Sequence, residues 1–318
     1  MNYIQQAFKV KHEFWRYLVG SGIIIAGAII GQIPFTFVAL FKAVEEGGSV
    51  FSMTEQELMT VLEPNLNLFL LLLSFAFALL ALFLVVKHLH KQSIKELTTA
   101  REKIDWKRIW FAFIFWGILS SGLVLLDYYL APEGYVWNFE LERFLILALI
   151  AIILIPIQTS TEEYVFRGYL MQGLGTLAKN RWFPLLVTSF IFGGLHIFNP
   201  EVGKLGYVVM VYYIGTGLFL GIITLMDEGM ELALGFHAAN NLFGALLVSA
   251  DWTVLQTHSI FKDISEPGVG FTDIALPVFI IFPIIIFIFA KVYKWTNWKE
   301  KLFGKVVEPP EENYKIID

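Results

Sequence analysis

The chain contains no cysteine. Disulfides, thiolate metal sites and cysteine nucleophiles are therefore excluded. Charge is scarce too, with Asp, Glu, Lys and Arg making up 16% of the 318 residues. The soluble zinc-protease signature His-Glu-x-x-His is absent, and no Ser-His-Asp set is evident. Residues 1–16 hold no short apolar core followed by a small-residue cleavage site, so the first apolar run is expected to remain as a span. No internal repeat is visible, which argues against the pseudo-symmetric halves of a transporter.

What fills the chain instead is apolar. Hydrophobic residues make up 57% and the mean hydropathy is +0.65, the composition of a multi-spanning membrane protein rather than a soluble domain. The net charge of -5 matters less here than where Lys and Arg fall. Spans of roughly 20 residues each consume most of the length. The expected architecture is thus an all-α, polytopic transmembrane helix bundle. Residues 1–318 form a single membrane domain, with 306–318 as a disordered tail.

About eight spans are expected, over 17–41, 66–86, 109–130, from 144 through the glutamate stretch, 183–198, 205–226, 232–250 and 274–290. Thr54-Glu55-Gln56-Glu57 has capping-box spacing and would start a short surface helix. The connector holding Lys87, Lys91, Lys95, Arg101, Lys103, Lys107 and Arg108 is the strongest basic cluster. A loop between two spans is a solvated basic loop, and nucleic-acid binding is not expected of it. The positive-inside rule places it, and with it both termini, in the cytoplasm, as in a bacterial-type inner membrane.

The chemistry-bearing residues sit where such groups are expensive. Glu162, Glu163 and Arg167 follow the apolar run 144–157 directly. Ionisable groups in hydrocarbon usually face a protein interior or a watery cavity. On one helix Glu163 and Arg167 share a face, while Glu162 points about 100° away. A structural ion pair at a helix end would also explain the stretch. Two histidines, His196 and His237, fall inside expected spans. Phe192 precedes the first by one helical turn, and Asn241 follows the second by one. A lone intramembrane histidine usually just hydrogen-bonds a neighbouring helix. Two of them plus a glutamate pair, on three helices, point to a shared cavity. One conflict arises in depth. Glu162 lies about 27 Å along a helix that begins at residue 144, near its inner end, whereas His196 comes out about 20 Å from that same face.

Together these stretches resemble the CPBP (CAAX-protease and bacteriocin-processing, or Abi) family of intramembrane proteases. The motifs read Glu162-Glu163-Tyr164-Val165-Phe166-Arg167, then Phe192-Gly193-Gly194-Leu195-His196, then His237-Ala238-Ala239-Asn240-Asn241, in the family's order. Gly168 follows Arg167, as it often does in the family. The resemblance covers residues 144–250, the expected catalytic core. It implies an intramembrane endopeptidase acting on a membrane-associated peptide or lipidated protein tail, in a conical cavity open to the cytoplasm. It implies that Glu162 with His196 activates water and that His237 and Asn241 stabilise the oxyanion. Glu163, Arg167 and Phe192 would support them. A metal-free site is favoured; were zinc used, Glu162, His196 and His237 would be its ligands. The competing readings are a non-catalytic membrane scaffold or immunity protein on the same fold, and a proton-coupled transporter.

Overall fold

The computed structural model describes residues 1–45, 57, 60–266, 268, 270 and 274–310. The expected capping box at Thr54-Glu55-Gln56, Pro267 of a far loop, and the tail from 311 onward lie outside the described residues.

Helix α1 (Phe14–Glu45) and helix α2 (Pro64–Leu84) form the first hairpin. Their close approach depends on missing side chains. A Cβ on Gly27 would stand 2.7 Å from the Ala81 Cβ, and one on Gly31 would stand 2.7 Å from the Ser74 Cα. Small residues at four-residue spacing are how helices pack where lipid offers no hydrophobic drive. Glu63 caps α2 by accepting the Leu66 N–H, with Pro64 at the first helical position. A wide π-type turn (Val85–Leu89) ends that span. The short α3 (Ile94–Thr98) starts with a full Ser93/Glu96 capping box.

Next come α4 (Trp106–Leu130) and α5 (Leu141–Glu163). The latter runs without a break through a π-type turn (Tyr164–Leu170) into α6 (Met171–Ala178). Helix α7 (Trp182–Gly194), the short α8 (Pro200–Leu205), α9 (Met210–Asp227) and α10 (Glu231–Leu247) follow. A π-type turn (Pro277–Ile281) leads into α11 (Phe282–Val292), and α12 (Trp298–Phe303) closes the order. In space α1 packs on α2, α2 on α5, α5 on α10 and α10 on α4, while α7 and α9 form a second pair.

Among the described residues, five helical stretches are long and apolar enough to cross a membrane: Phe14–Glu45, Pro64–Leu89, Trp106–Leu130, Leu141–Ala178 and Tyr207–Asp227. Three of the eight expected spans are shorter. Helix α7 has 13 residues because the chain turns after Gly193 and Gly194. Helix α10 has 17 and is largely buried, and Pro277–Val292 is a short apolar helix. Ile25, Ile29, Ile118, Leu145, Leu149 and Ile152 are among many large apolar side chains left exposed along α1, α4 and α5. Continuous apolar surface on helices with satisfied backbones is what a lipid bilayer accepts. The chain is a helical, integral membrane protein.

The two ends of the bundle differ. At one end a small sheet joins β1 (Tyr135–Trp137), β2 (Val248–Ala250) and β3 (Phe261–Asp263) in the order β1-β3-β2. It is a small departure from the all-helical expectation. The other end carries the basic connectors, which ion pairs tie to the helix ends. Arg101 pairs with Asp227 at 2.7 Å and with Glu231 at 3.0 Å, and Arg108 reaches Asp227 at 2.6 Å. Residues before α1 plug the same end: the Tyr3 N–H donates to Glu228 at 2.7 Å, and its hydroxyl lies 2.7 Å from the Leu97 carbonyl. Ile4–Lys9 forms a 3-10 helix that the sequence reading did not expect. The tail expected to be disordered from 306 is still anchored there, for Val306 is buried and its N–H donates to the Lys179 carbonyl.

Candidate active site

The conflict in depth disappears because α5 does not stop at the glutamates. The stretch Leu141–Ala178 is 38 residues of continuous helix, so Glu162 lies about 24 Å from its basic end. The π-type turn begins directly after Glu163. Such turns are frequent at functional sites because they rotate the residues they contain.

Glu163 and Arg167 are both completely buried and stand 3.3 Å apart. Arg167 donates to the Gly217 carbonyl at 3.2 Å, and its guanidinium lies 4.4 Å from the centre of the Phe192 ring. Phe192 thus supports the arginine through its π face. A buried carboxylate beside a guanidinium is an acceptor only, so the His237 Nδ1 that lies 2.8 Å from Glu163 Oε1 carries the proton. The other ring nitrogen, Nε2, then faces Glu162 Oε2 at 3.6 Å. His237 from α10 is therefore held between the two adjacent carboxylates of α5.

Glu162 is fixed from its other side by a directional chain. The Trp116 indole can only donate, and it lies 3.0 Å from Asn240 Oδ1. Asn240 must then donate to Asn241 Oδ1, at 3.1 Å. Asn241 donates to Gln158 Oε1 at 3.0 Å, and Gln158 donates to Glu162 Oε1 at 2.6 Å. A donor-only group at one end and a carboxylate at the other dictate every amide orientation between them. Oε1 of Glu162 is thereby occupied, which leaves Oε2 toward His237.

His196 is placed differently from expectation. It lies in the turn after α7 rather than within a span. Its Nδ1 donates to the Phe192 carbonyl at 2.8 Å, and its ring stacks on Tyr213 at 4.3 Å. The partner at Glu162 is His237, not His196, because α10 packs directly on α5. Glu162, His196 and Asn241 do line one cavity of about 780 Å³, together with Gln158, Tyr213 and Glu201. The zinc alternative fits this arrangement poorly. Among the described residues no three His, Asp or Glu side chains form a group able to hold a metal ion, since His196 is turned onto Phe192 and Tyr213.

The lining of the cavity includes Glu162, Val165 and Phe166 as well as Asn199, Val248 and Thr253. Residues from the middle of the first hairpin, among them Gln32, Leu71 and Ser74, line it as well. Val165 and Phe166 of the π-type turn contribute to that lining.

Three members of this constellation escaped the sequence reading. Gln158 lies one turn before Glu162 and Asn240 lies beside Asn241, so both had a local signal. Trp116 had none, because its partner is 124 residues away in sequence.

The fold and site define a class: a polytopic helical membrane protein with paired carboxylates and histidines around an internal cavity. A family model for type II CAAX prenyl endopeptidase Rce1-like proteins matches residues 141–243. The uncharacterized protein YyaK of Bacillus subtilis (strain 168) is 31% identical over 250 residues, which cover 78% of this chain and 83% of that protein. No solved structure matches. The chain belongs to the Rce1-like family of CAAX-type proteases.

Proposed function

We propose that the chain is an intramembrane endopeptidase that hydrolyses a peptide bond in a membrane-associated peptide or protein tail. The observation that carries this reading is the placement of Glu162 Oε2 opposite His237 Nε2, 3.6 Å apart at the edge of a cavity. Peptide hydrolysis needs a base for water, donors for the oxyanion and an acid for the leaving amine. Water held at Glu162 Oε2 gives up a proton as its oxygen bonds to the scissile carbonyl carbon. The proton is shared with His237 Nε2, and Glu163 stabilises the imidazolium so formed. That imidazolium donates to the oxyanion. When the C–N bond breaks, the proton passes to the leaving amine. Asn241 uses one amide hydrogen on Gln158 and has a second for the oxyanion. His196 lines the same cavity, and with Nδ1 taken up by the Phe192 carbonyl its Nε2 is the ring atom left to orient the water. No step requires a metal.

The positive-inside rule supports a cytoplasmic location for the basic end and both termini. The hydrolase reading is tested in proteoliposomes. Membrane-anchored peptides are incubated with the wild-type protein and with Glu162→Gln, and new termini are read by mass spectrometry. New termini in the wild-type sample alone support the reading. Identical patterns from both proteins contradict it.

A further inference from the structure

We propose that Glu201 forms a cation subsite in the cavity, one that holds a positively charged nitrogen of the peptide substrate, from a Lys or Arg side chain or from a free N-terminus. That the cation belongs to a substrate rests on the proteolytic reading; the subsite itself does not.

The first observation is a carboxylate that lacks its counter-charge. Glu201 lies in the first turn of α8, five residues past His196, and only 9% of it is exposed. One carboxylate oxygen, Oε1, accepts the Val254 N–H at 2.9 Å. The other, Oε2, is buried and has no hydrogen-bond partner. Among the described residues, the other buried carboxylates all have a guanidinium: Glu163 has Arg167, Asp227 has Arg101 and Arg108, and Glu231 has Arg101. No described Lys or Arg pairs with Glu201, and Lys204 on the same short helix is exposed. A buried carboxylate left in this state is costly. Burial pushes its pKa up, against the opposing Val254 hydrogen bond.

The second observation is the charge balance of the cavity. The ionisable residues among its described lining are Glu162, His196, Glu201 and Tyr213, with no Lys or Arg. Such a lining favours a positive guest. Glu162 is already engaged by Gln158 and faces His237, which leaves Glu201 as the acid without a role in the chemistry. The terminal torsion of a glutamate is soft, so Oε2 can turn into the cavity while Oε1 keeps the Val254 N–H. A second acceptor stands two residues away. Asn199 gives its amide Nδ2 to the Tyr213 hydroxyl at 3.4 Å and does not cap α8, so its Oδ1 is left for a donor. An ammonium brings three donors and a guanidinium five, enough to use both residues.

The test reads binding rather than turnover. Full-length Glu162→Gln protein in phosphatidylcholine nanodiscs is the parent, which also removes the other carboxylate charge from the cavity. Glu201→Gln is added to it, because the amide keeps an acceptor for the Val254 N–H and loses only the charge. The probes are labelled hexapeptide pools, acetylated and amidated, with one Lys at a varied position, or with norleucine or Glu in its place. A further norleucine pool has a free N-terminus. The parent should bind the Lys pool about tenfold more tightly than the acetylated norleucine pool, and the Glu pool no more tightly than norleucine. Glu201→Gln should abolish the Lys advantage and leave norleucine binding unchanged. An advantage confined to the free N-terminus, and lost in Glu201→Gln, would support the subsite and assign its cation to the terminal amine. Equal binding of charged and uncharged pools by the parent overturns the proposal, as does a cation preference that survives Glu201→Gln. If Glu201→Gln does not fold, Glu201→Asp replaces it: the carboxylate drawn back by one methylene should weaken the preference, and an unchanged preference overturns the proposal. Cleavage of the same pools by protein that retains Glu162 is scored separately. Cleavage without a cation preference in binding defeats this inference alone, whereas Glu201-dependent binding without cleavage defeats the hydrolase reading alone.

Discussion

The Glu163 carboxylate lies 2.8 Å from Nδ1 of His237, joining α5 to α10 across 74 residues of sequence. This one contact fixes the tautomer of the ring that faces Glu162. It also explains why a second glutamate is needed. Glu162 is partly open to the cavity, whereas Glu163 is sealed from it, pairing with Arg167 on one side and His237 on the other.

The amide chain ending on Glu162 gives a first prediction. Trp116→Phe keeps an aromatic ring against Phe236, 4.5 Å from the indole, but removes the indole donor to Asn240 Oδ1. Asn240 is half-buried and lines the cavity, so the thermal midpoint should fall only slightly. The kcat for any cleaved peptide should drop with KM little changed, because the chain acts through Glu162 and not on substrate. Gln158→Leu should lower kcat further, since it removes the last link directly. Unchanged kcat in both variants would dismiss the chain as a positioning device.

A pH dependence of stability follows from His90, which lies just past the second span. Burial pushes its pKa down to about 4, against an opposing hydrogen bond to the Lys11 carbonyl. The carbonyl is an acceptor only, so Nδ1 carries the proton and Nε2 accepts from Tyr169. The unfolded ring titrates near 6.5. Between those two values the unfolded chain binds the extra proton, so stability is highest above pH ~6.5 and falls as the pH drops toward ~4. The loss should be on the order of 2–3 kcal/mol. Thermal unfolding in detergent at pH 7.5 and pH 5 measures it, and His90→Gln should flatten the difference.

For metal, the expected outcome is insensitivity. Exhaustive chelation should leave peptide cleavage intact, and elemental analysis should find zinc far below stoichiometric. Activity lost on chelation and restored by zinc would require Glu162, His196 and His237 to converge, through movement of His196 away from Tyr213.

The basic end gives a prediction about folding. Asp227 is nearly inaccessible and receives Arg101, Arg108 and the Trp295 indole. Asp227→Ala would leave two guanidinium groups without their shared partner. Breaking a buried pair from one side costs about 3–5 kcal/mol. Folded yield should fall while any recovered protein keeps its activity.

What could be read from the sequence followed distance along the chain. Glu163 and Arg167 are one turn apart, and their pairing needed only helical geometry. The apolar runs announced the membrane, and the ordered motifs announced the family. The choice of histidine at Glu162 was not local. It depends on α10 lying against α5 and on α7 ending at Gly194, which puts His196 in a turn. The chain from Trp116 likewise exists only once α4 packs on α10.

The central claim is that Glu162 meets the water while Glu163 holds His237 and Arg167 in place. The measurement that tests it is turnover per folded molecule, taken alongside folded yield, for Glu162→Gln and Glu163→Gln. Glu162→Gln keeps size and hydrogen bonding but removes the base, so it should fold normally and be inactive. Glu163→Gln strands Arg167, at a cost of about 3–5 kcal/mol, so its yield should fall, while the folded fraction keeps residual activity, reduced because His237 loses the carboxylate that stabilises its imidazolium. Adding Arg167→Met should restore yield before activity. A fully active Glu162→Gln beside a well-folded, inactive Glu163→Gln would contradict the account.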